Sequence, residues 1–476
     1  MEEGNAPIVT TPVIIVGGGI SGLAAAYDLA KADIPHLVIE KSPRVGGLIE
    51  THQWEGCVLE YGPDSFISQK PEALALIKEV GLEEEVIGSK DEERKTYIVR
   101  DGQLRELPEG VTMFVPTKVG PVLRSRLIGP LTKLKMGFEL LRGPQSRPER
   151  SVANFVRDHF GEGALNYLAE PLLAGVYGGD PEQLSASATL PRFVEMERYE
   201  GSIAKAVLKS RASAPPSTGS MFRTLRGGLE SLVQALKKDV SVRHGEVTGI
   251  ERIPRTEDEP QENNWRVKVD EEWLETPEVI LALPAHAAAK LLPSVDARLA
   301  ELLSSIPYSS CAIVTLIFKS TDFDGKRAGS GFLVPKIERH RMLACTYMGS
   351  KFPNRVPNDK IALRCFFGGI DDAAVLDESN ESLVNLALAE MDRLVGLKAK
   401  PVHSVVSRWP NSMAQYTVGH AERVLEIYAI AHELPGLYLA GNAYSGIGIP
   451  DCIRMGRSAA KKVIRARARR KTATTL

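Results

Sequence analysis

Four consecutive β-branched residues, Val13-Ile14-Ile15-Val16, run directly into Gly17-Gly18-Gly19-Ile20-Ser21-Gly22. This junction constrains the fold more than any other feature of the chain. Such a run suits a strand buried on both faces of a parallel sheet. The glycines demand a tight turn, and Leu23 to Lys31 then place alanines and leucines at helical spacing. His36 to Glu40 reads as a second short strand. The result is a strand–turn–helix–strand unit, the nucleus of a Rossmann-like α/β fold.

The spacing of the motif carries chemistry. In Gly17-x-Gly19-x-x-Gly22, Gly17 permits the turn, Gly19 clears space for a pyrophosphate, and Gly22 lets helix and strand pack closely. The helix N-terminus offers free amides and positive dipole to phosphates, with Gly18, Ile20 and Ser21 completing the cradle. Glu40 lies 18 residues past Gly22. An acid there meets an adenosine ribose hydroxyl and favours FAD or NAD over NADP; the other reading is a surface glutamate. Lys41 follows, then Arg44 and the pair Gly46-Gly47. A double glycine after the ribose acid is not needed for NAD and recurs in one large flavoprotein group. Arg44 is a cation available to the pyrophosphate. Together these features point to FAD.

Composition narrows the rest. The chain has 476 residues, a net charge of -1, 43% hydrophobic and 25% charged residues. It is a globular chain with about three domains' worth of length. Its near-neutral field gives no reason to expect nucleic acid. Five scattered cysteines, none in CxxC spacing, suit a reducing compartment. The nine histidines are dispersed, so no local metal motif appears and no metal ligands are assigned. No run of about 18 apolar residues signals a membrane span, and Met-Glu-Glu-Gly-Asn lacks the basic and apolar regions of a secretory signal. The expected location is cytoplasmic.

Val13 to Gly47 resembles the N-terminal signature of the amine oxidase/phytoene desaturase flavoprotein superfamily. Further segments resemble the oxygen-dependent protoporphyrinogen oxidase family. They are Glu60-Tyr-Gly-Pro-Asp-Ser-Phe66, Gly175-Val-Tyr-Gly-Gly-Asp-Pro181, Gly331-Phe-Leu-Val-Pro335, Arg408-Trp-Pro410, and the stretch from Gly441 to Ile453. The resemblance covers nearly the whole chain. It implies non-covalent FAD, with Gly62, Pro63, Asp64 and Ser65 lining the flavin side and Val247 meeting the adenine. Gly441, Asn442, Ile447, Gly448 and Ile449 would close on the flavin end. Trp409 is either a flavin-packing residue or a core tryptophan. Gly175 matches a position whose carbonyl faces the substrate ring.

The implied reaction is a six-electron oxidation of protoporphyrinogen IX in haem biosynthesis. It would proceed in three two-electron rounds, consuming oxygen and releasing hydrogen peroxide. The flavin carries the redox chemistry, so no side-chain catalyst is assigned. An apolar slot is expected, with Phe332, Leu333 and Met342 as wall residues. One position departs from the family pattern: Thr96 stands where many members carry an arginine for a substrate propionate. Strand alternation would put Arg94 and Arg100 on the same face as Thr96. Coproporphyrinogen III, with four propionates against two, is therefore the alternative substrate. An amine or carotenoid oxidase and a non-catalytic FAD-bound membrane adaptor are the remaining alternatives.

Residues 111–143 set six cations, Lys118, Arg124, Arg126, Lys133, Lys135 and Arg142, against Glu139. Leu131, Leu134, Phe138 and Leu141 fall at helical spacing. This is either a membrane-surface helix or a solvated basic face. The run 461–471, with seven basic residues, is either surface charge or a second contact with anionic lipid. The expected architecture is a discontinuous FAD-binding domain (7–90, 222–290, 418–470), a mixed-sheet substrate domain (91–110, 186–221, 291–417) and a helical membrane-associating domain (111–185). Expected partners are the porphyrinogen, oxygen, a peripheral membrane surface, the next enzyme of haem synthesis and a second copy in a homodimer.

Overall fold

The computed structural model describes residues 12–91, 95–213, 219–253, 265–323 and 329–474. Val13–Val16 is the central strand of a five-stranded parallel sheet, between His36–Glu40 and Val279–Leu281. Val242–His244 and Leu437–Leu439 are its edges. All four residues of the central strand are buried, as a strand covered on both faces requires. The sheet is assembled from pieces far apart in sequence. Helix Ile20–Lys31 packs against both the sheet and the last helix, Ile449–Thr474.

Trp265–Val269 is the middle strand of a separate antiparallel sheet. Buried Trp265, Val267 and Val269 alternate with Arg266 and Lys268, which point outward. The nearby run from Val279 leaves this sheet and joins the parallel one.

A seven-stranded mixed sheet runs in the order His403–Ala414, Tyr308–Lys319, Lys360–Gly369, Ala344–Tyr347, Gly331–Leu333, Thr96–Arg100, Gln103–Glu106. Its neighbours are antiparallel except Gly331–Leu333 against Thr96–Arg100. There Phe332 sits beside Tyr97, and Leu333 beside Ile98. Period-2 alternation therefore puts Phe332 and Leu333 on opposite faces. Helix Asn380–Val395 covers the face that holds Phe332, Val99 and Met342.

The third core is helical, built around Phe114, Phe155, Phe160 and Leu168. Ala186, Leu190, Ile203 and Val207 share it, so it extends past the 111–185 span drawn from the sequence. On its outer side, the cationic stretch forms two helices, Val119–Arg124 and Pro130–Glu139. They and the turn after the second leave Val119, Leu123, Leu131, Leu134, Phe138 and Leu141 exposed, Leu131 at 81% and Leu141 at 79%. Their one acid, Glu139, is buried.

The basic run 461–471 is not a free tail. It belongs to helix Ile449–Thr474, and Arg467 and Arg470 reach the buried Glu278 carboxylate at 2.7 and 2.8 Å. No described helix is long and apolar enough to cross a membrane.

Candidate functional site

The glycine turn has the shape its spacing predicts. A Cβ on Gly22 would lie 2.0 Å from the Gly17 carbonyl oxygen, so only glycine allows helix and strand to meet here. A Cβ on Gly19 would meet nothing closer than the Gly47 Cα at 4.0 Å, so Gly19 borders open space. Helix Ile20–Lys31 has no side-chain cap and no acid in its first turn. Its N-terminal amides are left for an anion from outside the helix, which fits a pyrophosphate.

Glu40 stands beside the turn. One carboxylate oxygen accepts from the Gly18 amide at 2.7 Å, and the other from the Ser42 amide at 2.8 Å. The Gly245 amide donates to the Glu40 carbonyl, which brings Val247, two residues on, to the same end of the site. Lys41 turns outward and pairs with Glu246 at 2.6 Å.

Arg44 departs from expectation. Its guanidinium donates to the carbonyls of Ile49 and Gly47 and pairs with Glu50. It therefore helps hold the 44–50 loop in shape, with its cationic face toward the Trp409 ring. Trp409 donates to the Tyr61 carbonyl at 2.7 Å. A Cβ on Gly62 would lie 1.8 Å from the Leu48 carbonyl oxygen and 3.7 Å from Trp409, so the loop, Gly62 and Trp409 form one surface.

The C-terminal motif converges on the same place. Tyr416 donates to the Asn442 carbonyl and accepts from the Gly446 amide, at 2.7 and 2.8 Å. The Asn442 side chain donates to the Ser412 carbonyl. Gly441 follows the edge strand Leu437–Leu439, and Ile447 and Gly448 lead into the helix that begins at Ile449. That helix crosses the first one closely: a Cβ on Gly456 would lie 2.0 Å from the Ser21 carbonyl oxygen. Lys70 bridges to Asp451 in the same first turn at 2.6 Å.

On the seven-stranded sheet, Gly175 faces Leu333: a Cβ there would touch the Leu333 side chain at 3.4 Å. Thr96 lies on the Leu333 face of its strand pair. Phe332 and Met342 do not line this surface. Both are fully buried behind the sheet, so they support the wall from its far side. Arg100 has the expected orientation, but it donates to the Leu127 carbonyl and stacks on Tyr167 at 4.5 Å. It thus ties the strand to the helical core. Arg94 lies outside the described residues.

Two cations were missed by sequence reasoning. The Lys351 ammonium lies 2.8 Å from both Asp64 oxygens, and the fully buried Arg364 lies 3.3 Å from one of them. Burial alone would raise the Asp64 carboxyl, but these two cations outweigh it and hold it well below the usual carboxylate range. Arg364 had a visible signal, a lone cation inside the apolar run 361–367. Lys351 had none.

Known proteins resemble this chain along nearly its whole length. The model of the family "Flavin containing amine oxidoreductase" matches residues 20–464. Coproporphyrinogen III oxidase of Bacillus subtilis (strain 168) is 31% identical over 467 residues, 94% of this chain and 96% of the relative. Human protoporphyrinogen oxidase is 30% identical over 485 residues, 95% and 98% of the two chains. A crystal structure from Exiguobacterium sp. 255-15, ascribed to a protoporphyrinogen oxidase, superposes with a TM-score of 0.83 at 30% identity, covering 95% of this chain and 98% of that one. The chain therefore belongs to the flavin containing amine oxidoreductase family.

Proposed function

We propose that the protein is an FAD-dependent oxidase that converts protoporphyrinogen IX to protoporphyrin IX. The observation that carries this reading is likeness to porphyrinogen oxidases along almost the entire length of both chains. Bound FAD supplies a two-electron acceptor. Three rounds remove six electrons and six protons from the macrocycle, and three oxygen molecules leave as hydrogen peroxide. The uncapped helix at Gly19 would hold the pyrophosphate, and Glu40 the adenosine ribose. Gly175, Leu333 and Thr96 would orient the macrocycle, with little steric bulk at Gly175.

FAD is held without a covalent bond in this reading. Cys452 is the thiol nearest the flavin-end motif, and burial pushes it up to about 12. A thiol in that state supplies almost no thiolate for attachment at neutral pH.

Coproporphyrinogen III is the second reading, favoured by the Bacillus subtilis relative's identity. Aerobic incubation of the holoenzyme with each porphyrinogen, followed by porphyrin fluorescence and peroxide release, tests both. Faster turnover of one substrate assigns it. No rise above spontaneous oxidation with either refutes the function.

The same reading places the protein on a membrane surface through the helices Val119–Arg124 and Pro130–Glu139. Their exposed leucines and Phe138 lie among cations, a pairing suited to an anionic bilayer interface. An apolar porphyrin product gives that location a purpose.

A further inference from the structure

The glycine-lined surface runs from the turn to a partly buried charge cluster. A Cβ on Gly47 would come within 3.1 Å of the Gly19 Cα, and one on Gly62 would strike the Leu48 carbonyl. Beneath Gly62 lie five charges: Glu60, Asp64, Lys351, Arg355 and Arg364. Glu60 and Arg355 pair with each other at 3.1 Å. Arg355 also donates to Thr224 and the Leu225 carbonyl. That pair is self-contained.

The remainder is one carboxylate between two cations. The Lys351 ammonium uses its three donors on the two Asp64 oxygens and the Ser65 hydroxyl, at 2.8, 2.8 and 3.2 Å. The rings of Phe222 and Phe352 lie 5.3 Å from it. Arg364 donates to the Gly62 carbonyl at 2.6 Å as well as pairing with Asp64. Holding Asp64 in place needs only one cation, so the second leaves a net positive charge. Arg364 is fully buried and Lys351 and Asp64 are partly buried, so salt screens this charge less than it screens a surface charge.

On the reading that FAD lies along this surface, we propose that Lys351 and Arg364 are positioning residues that raise the reduction potential of the bound flavin. Electron uptake adds negative charge to the flavin, and an uncancelled, partly buried cation beside it favours that uptake. Arg364 acts through the Gly62 backbone, and Lys351 through Asp64. The surplus charge, more than the shape of the cluster, is what the flavin senses.

The experiment uses purified holoenzyme without substrate. Its readouts are the flavin potential, by dye equilibration, and the affinity for sulfite, which rises as the flavin becomes more electrophilic. Lys351→Met is expected to lower the potential and weaken sulfite binding about tenfold, the order expected for one unit charge in a partly buried site. Asp64→Asn is expected to shift both the opposite way. The double variant should return near the wild-type values, and Lys351→Arg should keep them. Lys351→Gln replaces the methionine variant if that one does not fold. A merely structural cluster would move both single variants in the same direction, and that result, or flavin bound with no shift, overturns the proposal alone. Wild-type protein that holds no flavin overturns both the proposal and the reading beneath it.

Discussion

The imidazole of His420 lies flat against the phenol ring of Tyr416, with centroids 4.0 Å apart and planes 13° from parallel. Tyr416 is the residue that bonds Asn442 and Gly446, so this stack braces the glycine-containing motif that follows the edge strand Leu437–Leu439. The ring Nε2 of His420 lies 3.1 Å from the Tyr444 carbonyl and donates to it as neutral imidazole.

That stack predicts acid sensitivity. Burial is the main cause that pushes His420 down to about 4, and nearby Arg423 adds to it. An unfolded histidine titrates near 6.5, so the folded state favours the neutral ring. The stabilisation is complete above about 6.5 and is lost as pH falls from there toward 4, in total about 3 kcal/mol. Denaturant midpoints should therefore drop between pH 7 and 4, with flavin fluorescence rising as cofactor is released. His420→Gln should lower stability at pH 7 and flatten this step. If wild type and variant decline in parallel, another group is responsible.

The two glycines of the turn should fail differently. Gly22→Ala places a methyl into the Gly17 carbonyl, so the helix must back away from the strand. It should cost about 1–3 kcal/mol and abolish flavin binding together. Gly19→Ala meets only open space at ordinary backbone angles. Its thermal midpoint without flavin should match the wild type, while flavin affinity falls at least about tenfold because the methyl fills the pyrophosphate's approach. Thermal melts of both apoproteins, with flavin titration, separate the cases.

These glycines were legible because the turn, the helix start and Glu40 are local, and the strand before them needs no partner to be recognised. Face assignments were not. Phe332 and Leu333 are adjacent in an apolar segment, and only the helix Asn380–Val395 decides which of them is core. The loop contacts of Arg44 were hidden for a related reason, since its partners are carbonyls of a loop whose path the sequence does not reveal. The pairing of Asp64 with Lys351 spans 287 residues, and no local pattern encodes it.

In the helical region, His159 is fully buried between two carboxylates, 3.2 Å from Glu139 and 3.0 Å from Glu197. Burial opposes their ionisation, but His159 and Arg150 outweigh it and pull Glu197 down to about 2. His159→Ala would leave Glu197 with Arg150, and Glu139 with the Ser202 hydroxyl and the Ile203 and Ala204 amides, so it should cost about 1–3 kcal/mol. Adding Glu197→Gln to that variant should recover part of the loss. Strictly additive losses in a double-mutant cycle would show that the pair is uncoupled.

Glu139 ends the helix that carries the exposed apolar face, which makes that face the last feature to test. Reversing Lys133 or Lys135 is a poor choice, because each ammonium is committed to the fold. Lys133 donates to the carbonyls of Leu123 and Ser125, and Lys135 to that of Arg157. Leu131, Phe138 and Leu141 make no comparable demand, since all three are more than half exposed. Replacing each with serine should change stability by no more than about 0.5 kcal/mol, as for ordinary surface changes. Binding to vesicles containing anionic lipid should fall about tenfold or more, with three large apolar side chains withdrawn from the interface. The residual attraction from Arg124, Arg126 and Arg142 should weaken further as salt is raised. Flotation of wild type and triple variant at low and high salt measures both terms. Equal flotation of the two proteins would remove this face as the membrane contact.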